Sequence, residues 1–395
     1  MKNTLIILLF LLSNTIGATT YYISTSGSDS NSGSSSSPWK TLAYACSKVT
    51  TSGDIIYVNA GSYTETTQCN LSVGVSIVGA SKTASIIKCD YYSARTGSDV
   101  IHAAIVLNQA EGTNGNQSIS NLTLDGDNLT GGLAILVRGL SNVTIHDCII
   151  KDFFIGGLTF HANGSIYSQP NTYATGNAVY NCTISNCSNV NGVNSTYNPT
   201  GWNKNGCIEF TGQDGFIVHD NTFTLTSRAA GLNGDTFQGG SFCKGFQMYN
   251  NISTRLPDEG INGLSYHWET ADTQGGFQIY NNQFYGGEQS IDLAANPDGQ
   301  DGHYKNSYAY TFYIHDNYFE NNPNEPTSNN STCILLEDEN VNDVIITRNH
   351  FYKQPVVFGM DATNGITNSY NNIMFSYNIL EKCGWQVGNT DKFIV

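Results

Sequence analysis

The stretch GFQMYNNIS at 245–253 returns almost unchanged as GFQIYNNQF at 276–284. Weaker copies flank the pair: VTIHDCII (143–150), AVYNCTI (178–184), FIVHDNTF (216–223), FYIHDNYF (312–319), VIITRNHF (344–351) and IMFSYNIL (373–380). Each alternates apolar with other residues, passes two polar or aromatic positions, reaches a marker that is usually Asn, and resumes with an apolar residue. The markers are Cys148, Cys182, Asn221, Asn251, Asn282, Asn317, Asn349 and Asn378, spaced by 34, 39, 30, 31, 35, 32 and 29 residues. A period near 30 that tolerates insertions is the signature of a solenoid whose strands are constant and whose loops vary.

Between markers lies a second alternating run: GLTFHA (157–162), CIEFTG (207–212), GLSYHW (263–268), SIDLAA (290–295), CILLED (333–338) and VVFGMD (356–361). Period-two alternation predicts strand. Two or three short strands per ~30 residues, each stacked on its equivalent in the next repeat, predict an all-β chain wound as a parallel β-helix of about ten rungs. The marker Asn is expected to occupy tight bends and to hydrogen-bond to the Asn one rung away. The column His146, Tyr180, His219, Tyr249, Tyr280, His315 is expected to stack as rings.

Forty Gly, 23 Tyr and only 12% charged residues suit such a turn-dense β chain. Residues 1–18, MKNTLIILLFLLSNTIGA, have the layout of a secretory signal peptide, which predicts an exported, extracellular product beginning near Thr19. No later stretch is apolar for long enough to span a bilayer. A formal charge of −15 argues against nucleic acid as a partner and for a neutral or metal-bridged polysaccharide; a monomer is expected. Of ten Cys none has a metal-ligand spacing, and Cys148 and Cys182, on adjacent rungs, are within reach of a disulfide or stack as free thiols. Sequons at Asn70, Asn128, Asn142, Asn181, Asn251 and Asn330 read as glycosylation sites or as turns.

The segments YYISTSGSDSNSGSSSSPWKTLAYACSKV (21–49) and GDIIYVNAGSYTE (53–65) resemble the N-terminal module of secreted right-handed parallel β-helix proteins of the pectate-lyase-like superfamily. The resemblance implies a single-stranded right-handed solenoid. An opening strand, capping helix and first rung would occupy 19–65, and the β-helix 66–395. Leu42, Ala43, Cys46 and Val49 share one helical face, so a helix near 39–50 would plug the open end. Polysaccharide lyases, glycoside hydrolases, epimerases and non-catalytic proteins share this architecture, so the resemblance leaves the reaction open. The polygalacturonase-type set of Asn-Thr-Asp, Asp-Asp and Gly-His-Gly is absent.

Strand parity supplies the candidate site. With Ile208 and Phe210 inward, Glu209 and Thr211 face outward, and the same parity exposes Thr159, His161, Ser265, His267, Asp292 and Glu337. Aligning GLNGDTF so that Asn233 and Asp235 face outward sets Asp235 roughly 8 Å from Glu209, a separation at which two carboxyls can flank a glycosidic bond with a water between them. Glu209, Asp235 and His267 are therefore the candidate catalytic residues, one carboxyl as general acid and the other as base or nucleophile. His161, Trp268, Asp292, Arg138 and Glu337 are the candidate substrate-binding residues; no metal ligand is assigned. The expectation is an extracellular polysaccharide-cleaving enzyme, hydrolysis ahead of β-elimination, with no cofactor required. The alternatives are a Ca²⁺-assisted lyase and a non-catalytic surface or matrix β-helix glycoprotein.

Overall fold

The alternating runs form strands, and the strands of successive repeats pair in parallel and in register. The computed structural model describes residues 17–90, 103–127, 132–153, 155–163, 169–187, 206–224, 236–239, 242–254, 261–262, 274–286, 290–295, 309–321, 332–338, 341–361 and 371–384. Of the expected signal peptide, residues 1–16 lie outside them. The chain is an all-β, right-handed parallel β-helix whose described strands stack in three columns, taken in turn as the first, second and third sheets.

The first sheet carries the strand ahead of each marker. Its inward column is Val179, Val218, Met248, Ile279, Ile314 and Ile346, all fully buried. The third sheet, which follows the markers, has eleven strands among the described residues, from Gly61–Glu65 to Ile379–Glu381. In it Phe284, Phe319 and Phe351 stack at 5.0 Å along the core. The second sheet holds Gly156–His161, Ile208–Thr211, Phe237–Gly239 and Ile261–Asn262, with Leu158, Ile208 and Phe237 filling the interior. Two long strands, Ala103–Ser120 and Leu133–His146, run through both the first and second sheets.

A helix at Leu42–Lys48, shorter than expected, closes the N-terminal end with Leu42, Ala45 and Cys46 buried. Thr41 caps it by accepting from the Tyr44 N–H. Glu65, reaching across from the first rung, accepts from the Leu42 and Ala43 N–H groups at 2.6 and 3.1 Å. This answers three of the helix's unpaired N-terminal donors.

The markers divide the work between two residues where the sequence suggests one. The residue before each marker makes the bend: Asp147, Asn181, Asp220, Asn250, Asn281, Asp316, Arg348 and Tyr377 all have φ near 55°. The marker itself is a buried ladder. Asn221 Nδ2 donates to Asn251 Oδ1 at 3.0 Å, Asn251 to Asn282, Asn282 to Asn317 and Asn317 to Asn349 at the same distance, and Asn349 to Asn378 at 3.1 Å. Each Oδ1 also accepts the backbone N–H of the preceding marker. Asn251 is 1% exposed with its amide engaged, which excludes its sequon from glycosylation in the folded chain. The expected ring column is present: His146, Tyr180, His219, Tyr249, Tyr280 and His315 stack at 4.8–5.1 Å.

Cys148 and Cys182 are free, buried thiols. Burial and the neighbouring Cys182 push the Cys148 thiol well above its ordinary range. Mass spectrometry of unreduced peptides should find both as free thiols; either one joined to a distant cysteine would contradict the ladder alignment.

Asn282→Ala removes the acceptor of the Asn251 N–H and Nδ2. It should destabilise the chain by about 2–4 kcal/mol in denaturant unfolding. His219→Ala, on the half-buried ring column, should shift the midpoint much less; equal shifts would show that the ladder is not the stabilising element.

Candidate functional site

Leu158↔Ile208 and Phe160↔Phe210 pair in register with all four side chains in the core, so alternation turns Thr159, His161, Glu209 and Thr211 to the outside. These outward residues are nevertheless buried: Thr159 0%, His161 4% and Glu209 6% exposed. Glu209 stands opposite Thr159, and His161 opposite Thr211. The histidine reaches the carboxylate diagonally, with Nε2 3.2 Å from Glu209 Oε1. Glu209 Oε2 and the Thr159 hydroxyl are also buried, and neither has a hydrogen-bond partner among the described residues.

The columns continue to either side. Arg138 stands opposite His161 on the preceding rung, and its Nε donates to Asn108 Oδ1 at 2.9 Å. Leu136 stands opposite Thr159 and joins Ala103, Val106 and Leu133 in a small buried apolar cluster separate from the main core. The arrangement is a buried carboxylate with one oxygen on an imidazole and the other without a hydrogen-bond partner among the described residues, opposite Thr159. Leu136 and Arg138 stand opposite Thr159 and His161 on the rung beyond.

The structure thus brings together His161, Glu209 and Arg138. Asp235, His267 and Trp268 lie outside the described residues. The sequence alignment sets Asp235 on the rung beside Glu209, roughly 8 Å away; in the described strand Phe237 pairs with Ile208, and the residue opposite Glu209 is Gln238. One rung further, Ile261 pairs with Phe237 and Asn262 with Gln238, so the strand begins ahead of the GLSYHW run that carried His267. Asp292 is buried between the core residues Ile291 and Leu293, on a strand beside Ile261–Asn262. That is three rungs from Glu209, or about 14 Å. The Glu337 backbone pairs with Ala294 and Asp361. The sequence reading set Thr159 on this face without a role and treated His161 as a bordering group; setting GLTFHA over CIEFTG already places both beside Glu209.

Ca²⁺ takes roughly six to eight oxygen ligands. Of the described oxygens at Glu209, its own Oε2 and the Thr159 hydroxyl are buried without a hydrogen-bond partner, two of that number. Among the described residues no three His, Cys, Asp or Glu side chains gather as a metal site, and no helix is long and apolar enough to cross a membrane.

Solved structures superpose on most of the chain. The endo-xylogalacturonan hydrolase from Aspergillus tubingensis matches with a TM-score of 0.54 at 12% identity, over 94% of this chain and 97% of that one. DFA-IIIase from Arthrobacter chlorophenolicus A6 in complex with GF2 matches with a TM-score of 0.55 at 14% identity, over 83% and 77%. The Dettilon tailspike protein matches with a TM-score of 0.53 at 14% identity, over 87% and 55%. The chain has the pectate-lyase-like fold. No family model matches it, and no curated protein does. In this pectate-lyase-like β-helix, at identities of 12–14%, the likeness extends to the fold and leaves function to the site.

Thr159→Val replaces an unpartnered buried hydroxyl by a methyl of similar shape. Its unfolding free energy should stay within about 1 kcal/mol of the unaltered chain, or rise. A loss of more than about 2 kcal/mol would mean that the hydroxyl has a structural partner and is not an open group of the site.

Proposed function

We propose that the chain is an exported polysaccharide-cleaving enzyme in which Glu209 is the general acid–base group and His161 its positioning partner. One observation carries the reading: a carboxylate buried on the outward face of the solenoid has Oε1 on an imidazole and Oε2 without a partner among the described residues. With its proton on Nε2, His161 donates to Oε1, leaving Oε2 to carry the proton that moves to or from a glycosidic oxygen. Burial excludes bulk water from that oxygen and strengthens its interaction with a bound sugar.

Hydrolysis is the first form of this reading. It takes a second carboxylate roughly 5–9.5 Å away, the shorter spacing for retention and the longer for inversion. Asp235 is proposed for that role, with His267 as its partner and Trp268 as a stacking platform, all three outside the described residues; Asp292 and Glu337 would contact sugars further along the face. The substrate is proposed to be neutral or weakly charged, given the formal charge of −15. A signal peptide at 1–18 would deliver the enzyme outside the cell, where it would act as a monomer.

A second reading, β-elimination on a uronate glycan, is favoured by Arg138, which stands opposite His161 and could neutralise the uronate carboxylate. Unsaturated products, read by absorbance alongside reducing ends, separate the two. On the glycan that is cleaved, Glu209→Gln should lower turnover by about 10²–10⁴-fold while the chain unfolds as before. Full activity in that variant would remove Glu209 from the chemistry.

A further inference from the structure

On the corner between the first and third sheets, on a different face from Glu209, lies a groove of about 590 Å³ over the C-terminal half of the solenoid. Its floor is the Asn ladder at Asn282 and Asn317. One wall is Tyr285, Tyr318 and His350; the other carries Asp316 and Arg348. We propose that this groove is a second, non-catalytic site that binds a neutral oligosaccharide.

The two aromatic columns of the solenoid differ in what they offer. In the column from His146 to His315 adjacent rings lie within 1–17° of parallel, so each face is covered by the next ring and edges meet the solvent. In the groove, Tyr318 is tilted 54° from Tyr285 and 81° from His350, at 5.7 and 5.2 Å. Tilted rings leave part of their faces uncovered, and an uncovered ring face is what the C–H side of a sugar packs against.

The rings are also held in place. The Tyr318 hydroxyl donates to Glu320 Oε2 at 2.9 Å, and the Tyr285 hydroxyl to Gln283 Oε1 at 2.7 Å. Opposite them Arg348 grips Asp316 with two bonds, Nε to Oδ1 at 2.9 Å and Nη2 to Oδ2 at 2.7 Å. A fixed, charge-compensated pair of donors and acceptors suits the hydroxyls of an uncharged sugar, and prior ordering of both walls reduces the entropy lost on binding. The strands under the groove are paired on both sides, so a peptide finds no free edge to extend. The acidic chain disfavours nucleic acid.

This site does not require Glu209 to be catalytic, and the test keeps the two apart. The Glu209→Gln chain is run through native gels containing xylan, galactan, mixed-linkage β-glucan or homogalacturonan. At least one neutral polysaccharide should retard it, and adding Tyr285→Ala with Tyr318→Ala should weaken that retardation about tenfold or more, equivalent to about 1.4 kcal/mol. Tyr318→Phe keeps the ring and should keep binding; His219→Ala, on the stacked column, should leave it unchanged. Because both tyrosines are half-buried, a second measurement uses the groove intact. Nitration of Tyr285 and Tyr318 in the Glu209→Gln chain, read by peptide mass spectrometry, should slow when oligosaccharides of the retarding glycan are added, while nitration of Tyr57 on the first rungs should not. Retardation by no neutral polysaccharide, by homogalacturonan alone, or undiminished in the double tyrosine variant with nitration unprotected, overturns the proposal. Binding with unchanged turnover in Glu209→Gln would instead count against the catalytic reading alone.

Discussion

Everything in this solenoid depends on how the buried bend after the first sheet satisfies its backbone. A left-handed residue turns the chain, and the next residue's N–H is left facing the interior, where water cannot answer it. The Asn carbonyl of the following rung accepts that N–H and the preceding Asn's own Nδ2 together. The same two bonds recur from Asn221 to Asn378, so these repeats meet one another at one spacing and one register. Loops of any length can be inserted between bends without disturbing it, which accounts for the irregular period.

Fixed register turns a repeating chain into columns, and columns create sites. Inward columns of Ile, Val, Met and Phe become the core. Outward columns become surfaces whose chemistry depends on which residues the loops bring into line. On the second sheet that line sets His161 diagonally against Glu209. On the corner it sets tilted tyrosines across from an Arg–Asp pair. The same rule builds the stacked ring column, whose faces are spent on one another.

Much of this was legible in the sequence because the first-sheet repeat is strong: nine nearly identical residues anchor the alignment, and the Asn ladder and ring column follow from it, while the capping helix was legible in the apolar face of the entry segment at 21–49. The placement of Glu209, His161 and Arg138 on one face was legible for the same reason, since CIEFTG and GLTFHA each have two core residues to set their parity. The register of Asp235 was not. Its segment, GLNGDTFQGG, has Phe237 as its one large core anchor in the described strand, and a three-residue strand gives alternation too little length to distinguish a slip. The run GLSYHW alternates well, yet the pairing begins at Ile261. Burial of Glu209 was illegible too, because parity gives the direction of a side chain and says nothing of what covers it. The split between bending residue and ladder residue escaped because both positions are commonly Asn or Asp; Arg348 and Tyr377, bending with φ of 55°, show that the bend tolerates other residues.

The central claim is that the register gives Glu209 its function through His161, and a double-mutant cycle in turnover tests it directly. Glu209→Gln, His161→Ala and the double variant are compared on the glycan that the unaltered chain cleaves fastest. If His161 acts by holding the Oε1 oxygen of Glu209, its loss adds little once Glu209 is gone, and the double variant should be about as slow as Glu209→Gln alone. Losses that multiply, leaving the double variant slower by the product of the two single effects, would show that the two residues act independently and would contradict the account.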